Sequence, residues 1–228
     1  MKTQMTAAFL AILGGAMAVN QVQAQNTYLY VAHGAPGHVI SSTTNPAYPV
    51  DFSENGVCVA TGMTFGEIRG PFASPGGTFN VKFTVANAAA PCTGASVFTA
   101  SVGLNSGTVY MGVLTFDTSK TVIGEIYPLD VKPTLAGYGR IEVVNSGGTA
   151  LGAKLSGAGP YPLPGESIQE FTPPAGLYNA EIVNASNNQI LYGPANVEIG
   201  QGSSYIYVVA GWASNQTLMG PAVIHGLF

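Results

Sequence analysis

The chain of 228 residues carries 7 Lys and Arg against 11 Asp and Glu, a net charge of −4, and charged residues make up only 8% of it. An ordinary globular protein has about 25%, and the few cations form no cluster, which argues against a nucleic-acid face and against electrostatic attachment to an anionic membrane. The 30 Gly and 15 Pro, with many Val, Thr, Tyr and Phe, favour strands over helices, and the alternation of apolar and polar residues along the chain argues against disorder.

The N-terminus has a short positive start at Met1 and Lys2, an apolar run from Met5, and small residues at Val22 and Ala24. This is the pattern of a secretory signal peptide (residues 1–24), with cleavage expected after Ala24. The run falls short of the about 20 apolar residues a membrane span needs. No cysteine precedes Cys58, so a lipid-anchored leader is not expected. The expectation is an exported protein that does not span the membrane, whether periplasmic, on the cell surface or extracellular. A mature chain of roughly 200 residues suffices for one large β domain or two of about 100.

"LYVAH" reads as the first strand and runs into "GAPGH", so that His33 and His38, two of the 3 histidines, stand close together. Asp51 follows in "YPVDFSENG". Two imidazoles near a carboxylate fit a metal site or an acid–base pair. A zinc site asks for three or four ligands, often with second partners orienting them. Here Pro36 and Gly37 lie between the histidines, and the chain offers no HExxH, no CxxC and no calcium loop. The structural reading is the stronger one: His33 ends the first strand and hydrogen-bonds a neighbouring turn, with Asp51 as a candidate partner. No metal and no cofactor is expected; His33, His38 and Asp51 are the residues that would hold a metal.

Cys58 and Cys92 make an even count in an exported chain, which reads first as a disulfide. Between them, "TFNVKFTV" alternates Phe79, Val81, Phe83 and Val85 with polar neighbours, the period of a strand with one wet face. "SVFTASV" and "TVYMGVLTF" are β-branched and aromatic runs bounded by Gly-rich turns. "KTVIGEIYPL" is expected as the last strand of a first unit, and Pro133, Gly137 and Gly139 break regular structure after it.

The chain then repeats itself. "FASPGGTFNVKF" matches "FTPPAGLYNAEI", "LYVAHGAP" matches "IEVVNSGG", and Tyr110 in "SGTVYMGV" matches Tyr205 in "GSSYIYVV". On this alignment His33 falls on Asn145, Asp51 falls near Gly152, and His38–Val50 is an insertion in the first copy. Each copy reads as five strands plus a closing one. Repetition over about 100 residues points to two domains rather than a solenoid. The expected fold is all-β: two tandem immunoglobulin-like β-sandwich domains, over 25–132 and 133–228. His225 is expected on a strand near the chain end.

"YVAHGAPG", "PVDFSENG", "FGEIRGPFASPGGTFNVKF", "SGTVYMGVLTF" and "LDVKPTLAGYGRIEVV" resemble the DUF4397 domain family. His33, Pro36, Asp51, Asn55 and Gly56 match its motif positions, and the second copy departs from them. The resemblance covers nearly all of the mature chain. It implies exported bacterial proteins, often with the domain in tandem, of immunoglobulin-like or related sandwich fold and without established enzymatic activity.

Other catalytic patterns are weak. No G-x-S-x-G occurs, "NSGG" and "GQGSS" lack the helix and Lys of a phosphate loop, and Glu166 with Glu170, beside Pro and Phe in a turn, read as a solvated edge rather than a glycosidase pair. Tyr161, Tyr192 and Trp212 are the candidate ligand-stacking aromatics. The sequence therefore favours a non-catalytic adhesion or structural module with an unknown surface partner or self-association. A carbohydrate- or peptide-binding module is second, and a metal-dependent enzyme third.

Overall fold

The computed structural model describes residues 26–41, 48–117, 119–210 and 217–224, with the backbone alone for 38, 41 and 217–224. The signal-peptide stretch, Trp212 and His225 lie outside the described residues.

The first half holds β1 (Asn26–His33), a single helical turn α1 (Gly37–Ser41), β2 (Val50–Glu54), β3 (Val57–Met63), β4 (Ile68–Pro75), β5 (Gly77–Val85), β6 (Ser96–Leu104), β7 (Val109–Phe116) and β8 (Val122–Leu129). The second holds β9 (Arg140–Asn145), β10 (Leu151–Leu155), β11 (Ala158–Leu163), β12 (Ser167–Phe171), β13 (Gly176–Asn184), β14 (Ile190–Ile199), β15 (Ser204–Ala210) and β16 (Thr217–Ile224). They form four sheets, β4-β1-β7-β8 with β3-β2-β5-β6, and β12-β9-β15-β16 with β11-β10-β13-β14. The second order is the first with every strand shifted by eight. All pairs are antiparallel except β1 with β7 and β9 with β15.

Each half is a two-sheet sandwich. Leu29 and Val31 of β1 meet Phe52, Phe79 and Phe83 of the facing sheet in the first core. Ile141 and Val143 of β9 meet Leu151, Ile182 and Val197 in the second. A third core joins the halves: Tyr30, Ala32, Met111, Val113 and Leu129 pack with Val144, Ile206, Val208 and Ala210. The sheets containing β1 and β9 thus lie back to back in the middle of a four-layer stack.

This arrangement explains the composition of the strands. In β1 and β7 both faces are covered, so "LYVA" and "VYMGVL" read as continuous apolar runs. In β5 only one face enters the core along most of its length, and the sequence alternates.

Two strands in each half exceed the six expected. β4 contains Gly70-Pro71 and β11 contains Gly159-Pro160. Both are edge strands, where a residue without an N–H costs no ladder bond on its free side. β12, another edge strand, corrects the placement of Glu166 and Glu170 together in a turn. Glu166 does sit in the preceding turn, with φ +53°, but Glu170 is on β12, opposite Glu142 of β9.

Candidate functional site

His33 ends β1 and is fully buried. Its Nε2 lies 3.0 Å from the Tyr48 carbonyl oxygen. A carbonyl only accepts, so Nε2 carries the proton and donates. Nδ1 has no hydrogen-bond partner among the described residues, and the Phe65 ring stands edge-on at 6.4 Å. Burial lowers the imidazole pKa, against smaller upward pulls from the Tyr48 bond and Glu67. The ring is therefore neutral at physiological pH.

Asp51 is not its partner. The carboxylate, 1% exposed, accepts from three backbone N–H groups: Gly62 at 2.8 Å, Asn87 at 3.1 Å and Cys92 at 2.8 Å. Asp51 and Thr84 are opposite each other on β2 and β5, on the face away from the first core. The connection 86–95 folds over that face, so β2 is buried along its whole length. Cys92 in this connection is bonded to Cys58 on β3, with Cα atoms 5.7 Å apart. Asn87 adds a local clamp by accepting from the N–H groups of Ala89 and Ala90. The loop is thus held at both ends by one carboxylate and one covalent bond, and Ala88, Ala89, Ala90 and Pro91 remain exposed.

His33 and Asp51 therefore serve separate parts of the first sandwich, and no group of three or more His, Cys, Asp and Glu suited to a metal occurs among the described residues. His38 lies on α1, and its side chain is outside the described residues. Of the aromatic candidates, Tyr161 is 39% exposed on β11, its ring 5.2 Å from that of Phe171, and Tyr192 is 43% exposed on β14. These are opposite edges of one four-stranded sheet, three strand spacings or about 14 Å apart. They do not form one stacking platform.

Sequence reasoning missed a second group of polar residues, at the third core. Glu142 on β9 is 2% exposed, and its Oε1 accepts from the Asp130 N–H at 2.7 Å. Its Oε2 has no hydrogen-bond partner among the described residues. Burial raises its pKa to about 7, with Glu170 and Asp130 adding to the rise and the Asp130 bond and Arg140 opposing it. Arg140 donates to the carbonyls of Asp130 at 2.9 Å and Lys132 at 2.6 Å, and its Nε lies 3.3 Å from Glu170. It thereby ties the chain leaving β8 to the start of β9. On the first half's side of this interface Tyr127 donates to Glu125, two residues before it on β8; burial raises the Glu125 pKa to about 7, the Tyr127 bond opposes the rise and Glu166 of the other half adds to it. The sequence signal for this cluster is the isolated Glu within "RIEVVN", a charge on a strand otherwise apolar between Arg140 and Asn145.

The molecule is an all-β protein of two sandwich units with an internal disulfide. No helix among its described residues is long and apolar enough to cross a membrane. No family model matches the chain and no curated protein matches it. Among solved structures it is similar to the Bacillus anthracis TIE protein, at 13% identity with a TM-score of 0.25, over 85% of this chain and 35% of that one. The chain thus spans about a third of that protein's length.

Proposed function

We propose that the protein is an exported, non-catalytic tandem β-sandwich of immunoglobulin-like type, related to the DUF4397 domains, that acts at the cell surface or outside the cell as an adhesion or structural module. The observation that carries this reading is the 86–95 loop, fastened by Asp51 and by Cys58–Cys92 and presenting an uncharged tip. A loop already ordered in the free protein loses little entropy on contact, which is what a surface-binding element needs. The disulfide supports an oxidising compartment outside the cytoplasm. The absence of a catalytic role is supported by how the polar groups are used: Asp51 and Arg140 hold backbone, and the two carboxyls with raised pKa values are packed between the sandwiches.

The test is a pull-down from the native cell surface with the wild type and with Ala89→Glu, which puts a charge on the loop tip. Partners captured by the wild type and lost by the variant support the reading. Identical captured sets would show that the loop is not the contact. Carbohydrate or peptide binding is second, resting on the half-exposed Tyr161 and Tyr192. Saturable signals on a glycan array, lost in Tyr161→Ala, would move it to first place.

A further inference from the structure

The two sandwiches differ in how well their cores are filled. Between the sheets of the second lies a cavity of about 120 Å³; the corresponding space in the first is about 60 Å³. The register makes the correspondence strict. Phe83 pairs with Phe98 in the first sandwich as Ile182 pairs with Tyr192 in the second, and Val81 with Ala100 as Ala180 with Ala195. In the first, the Phe98 ring fills the space and lies over Gly124, where a Cβ would fall 2.5 Å from it. In the second, the shorter Ile182 replaces Phe83, and Tyr192 stands half exposed at the cavity instead of filling it.

Most of the wall is apolar, with Ile141, Val143, Ala153, Ile182 and Val197 among its residues, and Asn196 adds one amide to the lining. An apolar cavity of about 150 Å³ stays dry and takes a benzene-sized guest, so this one is near the size of a single ring and far too small for a long acyl chain. Two hydroxyls border it, those of Tyr192 and Tyr207, and neither has a hydrogen-bond partner among the described residues. Tyr207 has its pKa raised to about 12, first by burial and then by Tyr192 and Tyr205, which keeps its hydroxyl protonated and able to donate. Lys154 and Glu181, also bordering the cavity, are directly opposite on β10 and β13, so the surroundings offer no net charge to an ion.

We propose that this cavity is a binding site for a small neutral molecule with one aromatic ring and one hydrogen-bonding group, the ring seated among Ile141, Val143 and Val197 and the polar group at Tyr192 and Tyr207. The site is distinct from the loop surface of the first sandwich, and either can hold without the other.

The probe is p-cresol, added to the full chain while melting temperature and amide chemical shifts are followed. A ligand that binds only the folded state raises the melting temperature in a saturable way. Chemical-shift changes are expected around the cavity of the second sandwich. Ala195→Leu fills the cavity and removes the response, whereas Ala100→Leu, at the matching position of the first sandwich, keeps it. Tyr192→Phe, which copies the first sandwich's aromatic without the hydroxyl, weakens binding by about tenfold, the loss of one hydrogen bond. Circular dichroism checks that each variant folds, and Ala153→Val serves as the smaller filling where Ala195→Leu does not fold. No saturable response in the wild type, or an equal response in a folded cavity-filling variant, overturns the proposal.

Discussion

The two sandwiches share a strand order and solve one local problem in two ways. At the end of β1 stands His33, and at the same place on β9 stands Asn145, each at the last paired position of its strand with β7 or β15. Asn145 donates from Nδ2 to the carbonyls of Thr149, Leu163 and Pro164 at 2.9–3.1 Å, and its Oδ1 accepts from Gly147. The connection it braces is only residues 146–150. In the first sandwich the connection runs from 34 to 49, and the longer imidazole reaches the Tyr48 carbonyl on its return. The position calls for a buried donor to carbonyls, and the length of the connection selects the residue. The same contrast recurs at Asp51 and Gly152. A side chain that anchors the 86–95 connection in one half has no room in the other, where a Cβ on Gly152 would lie 2.7 Å from Pro160.

The largest expected effect comes from making the first sandwich resemble the second at that position. Asp51→Ala strands three N–H donors under the loop and should cost about 3–5 kcal/mol, read by denaturant unfolding, with hydrogen exchange accelerated across 86–95. Removing the disulfide with Cys58→Ser and Cys92→Ser frees a closed loop of 34 residues and should cost about 3–4 kcal/mol in the chain-entropy model. Mass spectrometry without reduction should find the Cys58 and Cys92 peptides linked in the native protein. Free thiols there would remove the covalent half of the contrast.

The carboxyls between the sandwiches give a pH dependence. Glu142 has a folded pKa of about 7, above the ordinary 4.5, so between these values the folded state binds more protons than the unfolded. Its contribution is fully present below 4.5 and lost as pH rises through 7. Glu142→Gln should therefore flatten the loss of stability on the alkaline side, by on the order of 3 kcal/mol at pH 8. His33 has the opposite sign: its pKa is lowered, so its contribution is present above about 6.5 and falls away as pH drops. A melting-temperature profile from pH 4 to pH 9 for wild type and Glu142→Gln separates the two.

The smallest effect is at His33 itself. His33→Asn installs the second sandwich's residue on a connection it is too short to brace. The fold should survive, at a cost of about 1–2 kcal/mol for the lost Tyr48 bond. Added zinc should leave the melting temperature unchanged. A rise in the wild type that His33→Asn abolishes would make the stretch a metal site after all.

Much of the architecture was legible because the repeat is written in residues that the fold needs twice. Gly77 and Gly176 both open the long hairpin, and Tyr110 and Tyr205 both accept from a backbone N–H five residues earlier, of Asn105 and of Gly200. The edge strands β4 and β11 were hidden by Gly-Pro pairs, which signal turns in a sequence and are tolerated on a free edge. The partnership of Asp51 with Asn87 and Cys92 was illegible because it spans 36 and 41 positions and depends on how a loop folds back. The third core was present in the sequence as runs that fail to alternate, but a strand covered on both faces looks the same whatever covers the second face.

That third core is built from the same face of each copy, Met111 and Val113 on one side and Ile206 and Val208 on the other. A single copy carrying this face would need a second molecule to cover it, and its survival would depend on how many copies were nearby. Joining the copies through residues 130–139 makes the encounter intramolecular, at an effective concentration in the millimolar range for a short tether. The protein therefore carries its own dimer, and dilution does not take it apart.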